Sequence, residues 1–202
     1  MAWTWSLNWA IVTPQIVVGT CPMVPADLER IKAGTGVTAV LSLQHDECLA
    51  RWAIDYAEMR DEGRRLGLAM ARLPIRDFNP EETRRHLPKA IRSLARLQAQ
   101  GHRTYVHCTA GISRAPLTIF GYLTLVEKLE AAAARDLIMT KRPESIPYWE
   151  AYEAARGDLA AVHAEAIERR ADQLERSGLC RNRTTATDRA AAEVLSKVLG
   201  GA

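Results

Sequence analysis

The stretch His107-Cys108-Thr109-Ala110-Gly111-Ile112-Ser113-Arg114 places a thiol and a guanidinium at the two ends of one short loop. It lies between an apolar run that reads as a buried strand, 104–106, and one that reads as a helix, 115–127, so the loop opens onto a helix N-terminus. Backbone N–H groups there have no intrahelical acceptor, and the positive end of the helix dipole adds to them, which makes such a loop an anion cradle. A cysteine among N–H dipoles and beside a permanent cation is favoured as the thiolate, the form that attacks. Arg114 can hold two oxygens of a tetrahedral oxyanion with its planar fork, a geometry lysine does not reproduce. Thr109, Ala110, Gly111, Ile112 and Ser113 then supply the remaining phosphate-binding groups. These residue types point to phosphate-ester chemistry: attack of Cys108 on phosphorus, a cysteinyl-phosphate, then hydrolysis by water. That route calls for no metal and no cofactor.

Hydrophobic periodicity gives the elements that must position this loop. Strands are expected over 15–19, 37–43, 68–74 and 104–106, and helices over 25–32, 49–66, 81–100, 115–127 and 130–141. The run 37–43 is continuously apolar, as in a strand buried on both faces. Strands alternating with helices of this length predict an α/β fold with a central, mostly parallel sheet flanked by helices. The tryptophans that open the chain, Trp3 and Trp5, alternate as on an edge strand packed against the core. The polar turn Gln44-His45-Asp46-Glu47 falls at a carboxyl end of the sheet, where open α/β folds place ligands, and His45 reads as a surface residue of that turn. Helix 81–100 carries Leu87, Ile91, Leu94 and Leu97 as its buried stripe, with Arg84, Arg85, Arg92 and Arg96 on a solvated face.

Cys-x5-Arg after a His and a strand resembles the signature loop of the protein tyrosine phosphatase superfamily, and Ala110-Gly111-Ile112-Ser113-Arg114 is similar to its dual-specificity branch. His-Cys-Thr-Ala-Gly-x-x-Arg-Ala-Pro is further similar to the plant-type glucan phosphatases that dephosphorylate starch. The likeness spans 11–156 and includes Ile16-Val17-Val18-Gly19-Thr20, Leu41-Ser42-Leu43-Gln44 and Ile75-Arg76-Asp77-Phe78. It implies that Asp77 is the general acid that protonates the leaving oxygen and later takes a proton from the attacking water. It also implies that Phe78 stacks on a sugar chain, with Trp52 near a second recognition aromatic. The alternative readings are an ordinary loop acid for Asp77, loop packing for Phe78 and core packing for Trp52, the last of these being the preferred one for Trp52. His107 is expected to orient the loop and favour the thiolate through hydrogen bonds rather than act as a base. Two positions depart from the glucan pattern or from the superfamily. Ser113 stands where glucan enzymes usually have Gly, and Ala115 stands where most of the superfamily has a hydroxyl that helps the thiolate leave.

With 202 residues, 48% hydrophobic and 25% charged, the chain accommodates one domain with a substantial core and a short extension. Residues 1–156 read as the catalytic domain and 157–202 as a helical extension and tail. A formal charge of +3 does not imply nucleic acid. Cys21, Cys48, Cys108 and Cys180 form no C-x-x-C pair, so neither zinc nor a disulfide framework is expected. A catalytic thiol argues for a reducing compartment, the cytoplasm or, in a plant or alga, the plastid stroma. No apolar run is long enough to span a bilayer, and the N-terminus does not read as a signal peptide. A long helix is expected over 148–176, a polar mobile stretch over 181–187, and a last helix over 188–199 with Val194, Leu195 and Val198 as an apolar stripe. That tail docks on its own domain or on a protein partner. The expected substrate is a phosphorylated glucan. The alternatives are a phosphoprotein, which Ser113 favours, and a phosphatase-fold scaffold subunit of a larger assembly.

Overall fold

The computed structural model describes residues 4–201. Five segments form one sheet: β1 (Trp9–Thr13), β2 (Ile16–Gly19), β3 (Ala39–Gln44), β4 (Ala69–Ile75) and β5 (Thr104–His107). Their order is β1-β2-β5-β3-β4, with β1 antiparallel to β2 and every other neighbour parallel. The expected mostly parallel α/β architecture is therefore the observed one. The register puts His107 opposite both Gly19 and Ser42, so three strands end together around the residue that precedes Cys108. Alternate residues of β5 enter opposite cores, as the two-residue repeat of a strand demands. Tyr105 joins Leu28, Ile31 and Met59 on one face, while Val106 joins Leu87, Ile91 and Leu117 on the other.

The first face is covered by α1 (Pro25–Thr35) and α3 (Tyr56–Arg65), with the short α2 (Asp46–Arg51) between them in sequence. The second face is covered by α4 (Pro80–Ala99), α5 (Arg114–Leu125), α6 (Ala131–Lys141) and α7 (Trp149–Val162). The chain continues as α8 (Ala164–Arg176) and α9 (Arg183–Gly200), which pack on each other through Ile167, Ala171, Leu174, Ala186 and Ala190. No described helix is long and apolar enough to cross a membrane.

The structure corrects several expectations. The single helix expected over 49–66 is two helices: Ala53 takes a left-handed backbone, and Asp55 starts α3 afresh by accepting hydrogen bonds from the N–H groups of Ala57 and Glu58 at 2.8 and 3.1 Å. Such a cap competes with continuation of the helix. Helix 148–176 is likewise interrupted, at His163, where the buried stripe changes partner. Ala151, Tyr152 and Ala155 face the main core, whereas Ile167, Ala171 and Leu174 face α9. The edge strand is Trp9–Thr13; Trp5 precedes it in irregular chain and donates its indole N–H to the Cys21 carbonyl at 3.1 Å. Trp3 lies outside the described residues. The stretch 181–187 is not a loose connection, because Asn182 caps α9 through the Thr185 N–H at 2.9 Å and Arg183 pairs with Glu168, Asp172 and Glu175. Arg84 is not merely solvated: it holds Asp158 of α7 with two bonds of 2.7 Å.

The last helix docks on its own domain. Its buried positions are Ala186, Ala190, Leu195 and Leu199, and Val194 and Val198 are only half-buried, so the stripe is rotated from the expected one. Leu199 enters the main core at 1% exposure, and the Ser196 hydroxyl donates to the Val126 carbonyl at 3.1 Å. Leu199→Ala is therefore expected to cost about 3 kcal/mol, as for other buried leucines. Urea unfolding of the full chain measures it, and an unchanged midpoint would mean that the last turn is not part of the core.

Candidate active site

Cys108 follows β5 directly and Arg114 opens α5, so the loop between them is fixed at both ends. Every carbonyl from 108 to 113 has a donor outside the cradle. The Cys108 carbonyl meets the His107 imidazole Nδ1 at 2.9 Å, and the Thr109 carbonyl accepts the Cys21 N–H at 2.9 Å. Arg142 donates Nη2 to the Ala110 carbonyl at 2.9 Å and Nε to the Gly111 carbonyl at 2.7 Å. The Ile112 carbonyl accepts the Ile146 N–H at 2.8 Å, and the Ser113 carbonyl accepts the Leu117 N–H at 3.0 Å. Because the C=O and N–H of a planar trans peptide point in opposite directions, drawing these carbonyls outward turns the following N–H groups inward. None of the backbone N–H groups of 109–113 has a protein acceptor among the described residues. Gly111 is required by geometry: its φ is +67°, and a Cβ there would lie 2.3 Å from the Gly19 carbonyl oxygen.

Arg114 is 1% exposed. Nη1 donates to the Ile75 carbonyl at 2.7 Å and reaches the Cys48 sulfur at 3.6 Å, while Nη2 meets the Thr109 hydroxyl at 3.3 Å and the Asp77 carboxylate at 2.6 Å. Its Nε is buried without a partner among the described residues. Burial alone would lower the Arg114 pKa, but the charges of Cys108 and Asp77, followed by Cys48, outweigh it and raise the value, so the side chain stays a cation. Asp77 is thus brought to the same guanidinium as the loop. Its own loop is pinned by Arg76, whose N–H donates to Glu82 at 3.0 Å and whose guanidinium pairs with Glu47 at 3.2 Å.

Other residues singled out in the sequence fall into place around this centre. Phe78 is 83% exposed and takes a left-handed backbone with φ 54°, its N–H donating to Asp77 Oδ1 at 3.2 Å. Loop packing does not bury it. Trp52 ends α2 and packs, half-buried, against the core on the α1 and α3 side. His45 caps α2, its Nδ1 accepting the Glu47 N–H at 3.3 Å. His107 is buried, and since a carbonyl can only accept, Nδ1 carries the proton donated to Cys108. Burial lowers its pKa to about 4, so the imidazole is neutral and does not serve as a base at neutral pH. Cys21 is pushed up to about 12, first by burial and then by the nearby Cys108, and stays a thiol. Ser113 Oγ is buried without a partner among the described residues.

Residues 30–151, more than half the chain, match the dual specificity phosphatase catalytic domain. The chain belongs to the dual-specificity phosphatase family. It is 29% identical over 155 residues to the amyloplastic phosphoglucan phosphatase DSP4 of Castanea sativa, covering 76% of this chain and 41% of that protein. It is 31% identical over 117 residues to the chloroplastic phosphoglucan phosphatase LSF1 of Arabidopsis thaliana, covering 58% of this chain and 20% of that protein. The chain therefore spans less than half the length of these curated relatives. The crystal structure of PTPMT1 shares the fold with a TM-score of 0.61 at 20% identity, covering 80% of this chain and 99% of that one. The family match ends short of α8 and α9 and begins after β1 and β2.

Two residues of the site went unrecognised in the sequence, Arg142 and Asn8. Neither carries a spacing relative to Cys108 that marks it, and Arg142 is one of 27 lysines and arginines in the chain.

The buried neutral His107 sets a pH dependence. Unfolded, the imidazole binds its proton near 6.5; folded, near 4. Between these values the unfolded state holds the extra proton, so stability is fully present above 6.5 and falls as the pH drops towards 4. The expected slope is about 1.4 kcal/mol per pH unit. Urea unfolding across that window, compared with His107→Asn, isolates it; equal slopes in the two proteins would contradict the buried neutral imidazole.

Proposed function

We propose that the protein hydrolyses phosphate monoesters carried on a glucan, through a cysteinyl-phosphate on Cys108. The observation that carries the glucan part is the 83%-exposed Phe78 next to Asp77, whose carboxylate is held at the Arg114 guanidinium. A flat aromatic at the rim of an anion cradle suits a sugar ring bearing a phosphate. The names of the relatives DSP4 and LSF1 support the same substrate class.

The steps follow from the groups present. The phosphoryl oxygens take the N–H groups of 109–113 and the Arg114 guanidinium, whose Nε has no other partner. The Cys108 thiolate attacks phosphorus as the bond to the sugar oxygen breaks, and Asp77, carrying a proton, gives it to that oxygen. The ion pair between Asp77 and Arg114 opens for this, since the substrate phosphate replaces the carboxylate on the guanidinium. Water then attacks phosphorus, Asp77 accepts its proton, and the S–P bond breaks to return the thiolate and release phosphate. Ala115 supplies no hydroxyl to assist departure of sulfur, which leaves the N–H groups and Arg114 to stabilise it. Trp52, packed against the core, is a weaker choice for substrate contact than Phe78.

We assign this chemistry to residues 1–156 and read 157–202 as a helical extension that buttresses the main core. Docking of α9 through Leu199 uses the apolar stripe that a scaffold role would have needed for a partner. Ser113 favours a protein substrate instead, and the experiment separates the two.

Phosphate release from phosphorylated amylopectin and from a phosphotyrosine peptide is measured side by side, with Cys108→Ser as the control. Release from amylopectin is expected with wild type and not with Cys108→Ser. Phe78→Ala should lower turnover of amylopectin about tenfold, the loss of one stacking contact of about 1.4 kcal/mol, while a small aryl phosphate is turned over within about twofold of wild type. Turnover of the peptide alone would replace the glucan reading with the phosphoprotein one. No turnover of any ester above Cys108→Ser would end the catalytic reading.

A further inference from the structure

Behind the loop, at the end of α6, Arg142 is only 3% exposed. A buried guanidinium is costly unless its N–H groups are spent on acceptors. Two go to consecutive carbonyls of the loop, Ala110 and Gly111, and Nη2 also reaches Asn8 Oδ1 at 2.9 Å. Among the described residues the carboxylate paired with it is Glu144, which stands 3.4 Å from Nη1 and is half in solvent. Compensation thus comes mainly from the loop and from Asn8, not from an ion pair.

Asn8 is itself fixed. Its N–H donates to the Thr20 hydroxyl at 3.1 Å, and its carbonyl accepts the Thr20 N–H at 3.1 Å. Its Nδ2 donates to the Ser6 carbonyl at 3.0 Å, which leaves Oδ1 directed at Arg142. Thr20 continues from β2, whose end lies beside His107.

We propose that Arg142 is a positioning residue for the phosphate cradle, and that Asn8 sets the orientation of its guanidinium. The proposal rests on the cradle described under the proposed function. Arg142 is placed to draw two adjacent carbonyls away from the cradle, which turns the N–H groups of Gly111 and Ile112 towards a bound oxyanion. Without it those carbonyls lose their donors and rotate, bringing negative dipoles where N–H groups should be. The effect is on oxyanion binding and on turnover through the loop, with no contact between Arg142 and the substrate.

The test uses the full chain and tungstate, a tetrahedral oxyanion, with calorimetric binding, thermal melting, and kcat and KM for an aryl phosphate. Arg142→Met should weaken tungstate binding tenfold or more and lower kcat by a similar factor. Arg142→Lys should fall between it and wild type, because one ammonium cannot span both carbonyls and Asn8. Asn8→Leu should weaken binding severalfold, and Asn8→Asp should restore it, since a carboxylate still accepts from Nη2. A residue that only held the fold together would shift melting without changing the affinity of the folded protein. Wild-type tungstate affinity in folded Asn8→Leu and Arg142→Lys overturns the proposal, and these two decide it if Arg142→Met does not fold. Wild type that binds tungstate but cleaves no ester would end the catalytic reading while the variants still decide the positioning role.

Discussion

The outward pull on six successive carbonyls, from Cys108 to Ser113, is the constraint on which the site depends. A loop of free peptides would present carbonyls and N–H groups to an anion in equal measure. Here the six carbonyls are occupied by donors from five places: the ring of His107, the backbone of Cys21 after β2, the side chain of Arg142 after α6, which takes two, the backbone of Ile146 beyond it, and the first turn of α5. The sheet order explains how these segments meet. With β5 between β2 and β3, the ends of the parallel strands converge on the loop, and α5 leaves it with its N-terminus directed inwards.

A second constraint is the buried cation that closes the loop. Arg114 sits in the core at 1% exposure, where an unpaired charge would be severely penalised. It is tolerated because the Ile75 carbonyl, the Thr109 hydroxyl, the Cys48 sulfur and the Asp77 carboxylate surround it. The same contacts tie β4 to the cradle: Ile75 is the last residue of that strand, and Asp77 stands just beyond it. Structure and charge are therefore not separable here. The guanidinium that would bind an oxyanion in the proposed reaction also orders the segment that carries Asp77, through the pair between Nη2 and its carboxylate. Cys21, close to the same centre, remains a thiol because burial and the neighbouring Cys108 both oppose its ionisation.

What was legible in the sequence was local. The loop from His107 to Arg114, the strand before it and the helix after it are contiguous, and their chemistry follows from residue types at fixed spacing. The buried stripe of α4, Leu87, Ile91, Leu94 and Leu97, is likewise a matter of one period. The breaks at Ala53 and His163 were not legible, because helix propensity continues through both. The first is set by a left-handed residue and a competing cap, the second by a change in what the buried face meets. Arg142 and Asn8 were invisible for a different reason. Their roles come from contacts across more than thirty and more than one hundred positions, which no local pattern of residue types records. The rotation of the α9 stripe has the same origin, since two different neighbours, α8 and the main core, divide its length.

At Phe78 the backbone conformation decides what lies at the mouth of the site. An aromatic residue at φ 54° sits in the left-handed region, which costs a non-glycine residue about 1–2 kcal/mol. A glycine there would give the same turn without that cost, so the turn does not require the ring. The turn itself lets Asp77 face inwards, with Oδ2 on Arg114 and Oδ1 accepting the next N–H, while residue 78 is directed out. At 83% exposure the ring gains almost nothing from burial in this chain. The turn is held by the contacts of Asp77, so the ring is left free to be covered by something flat, which is the physical ground for the proposed contact with a sugar.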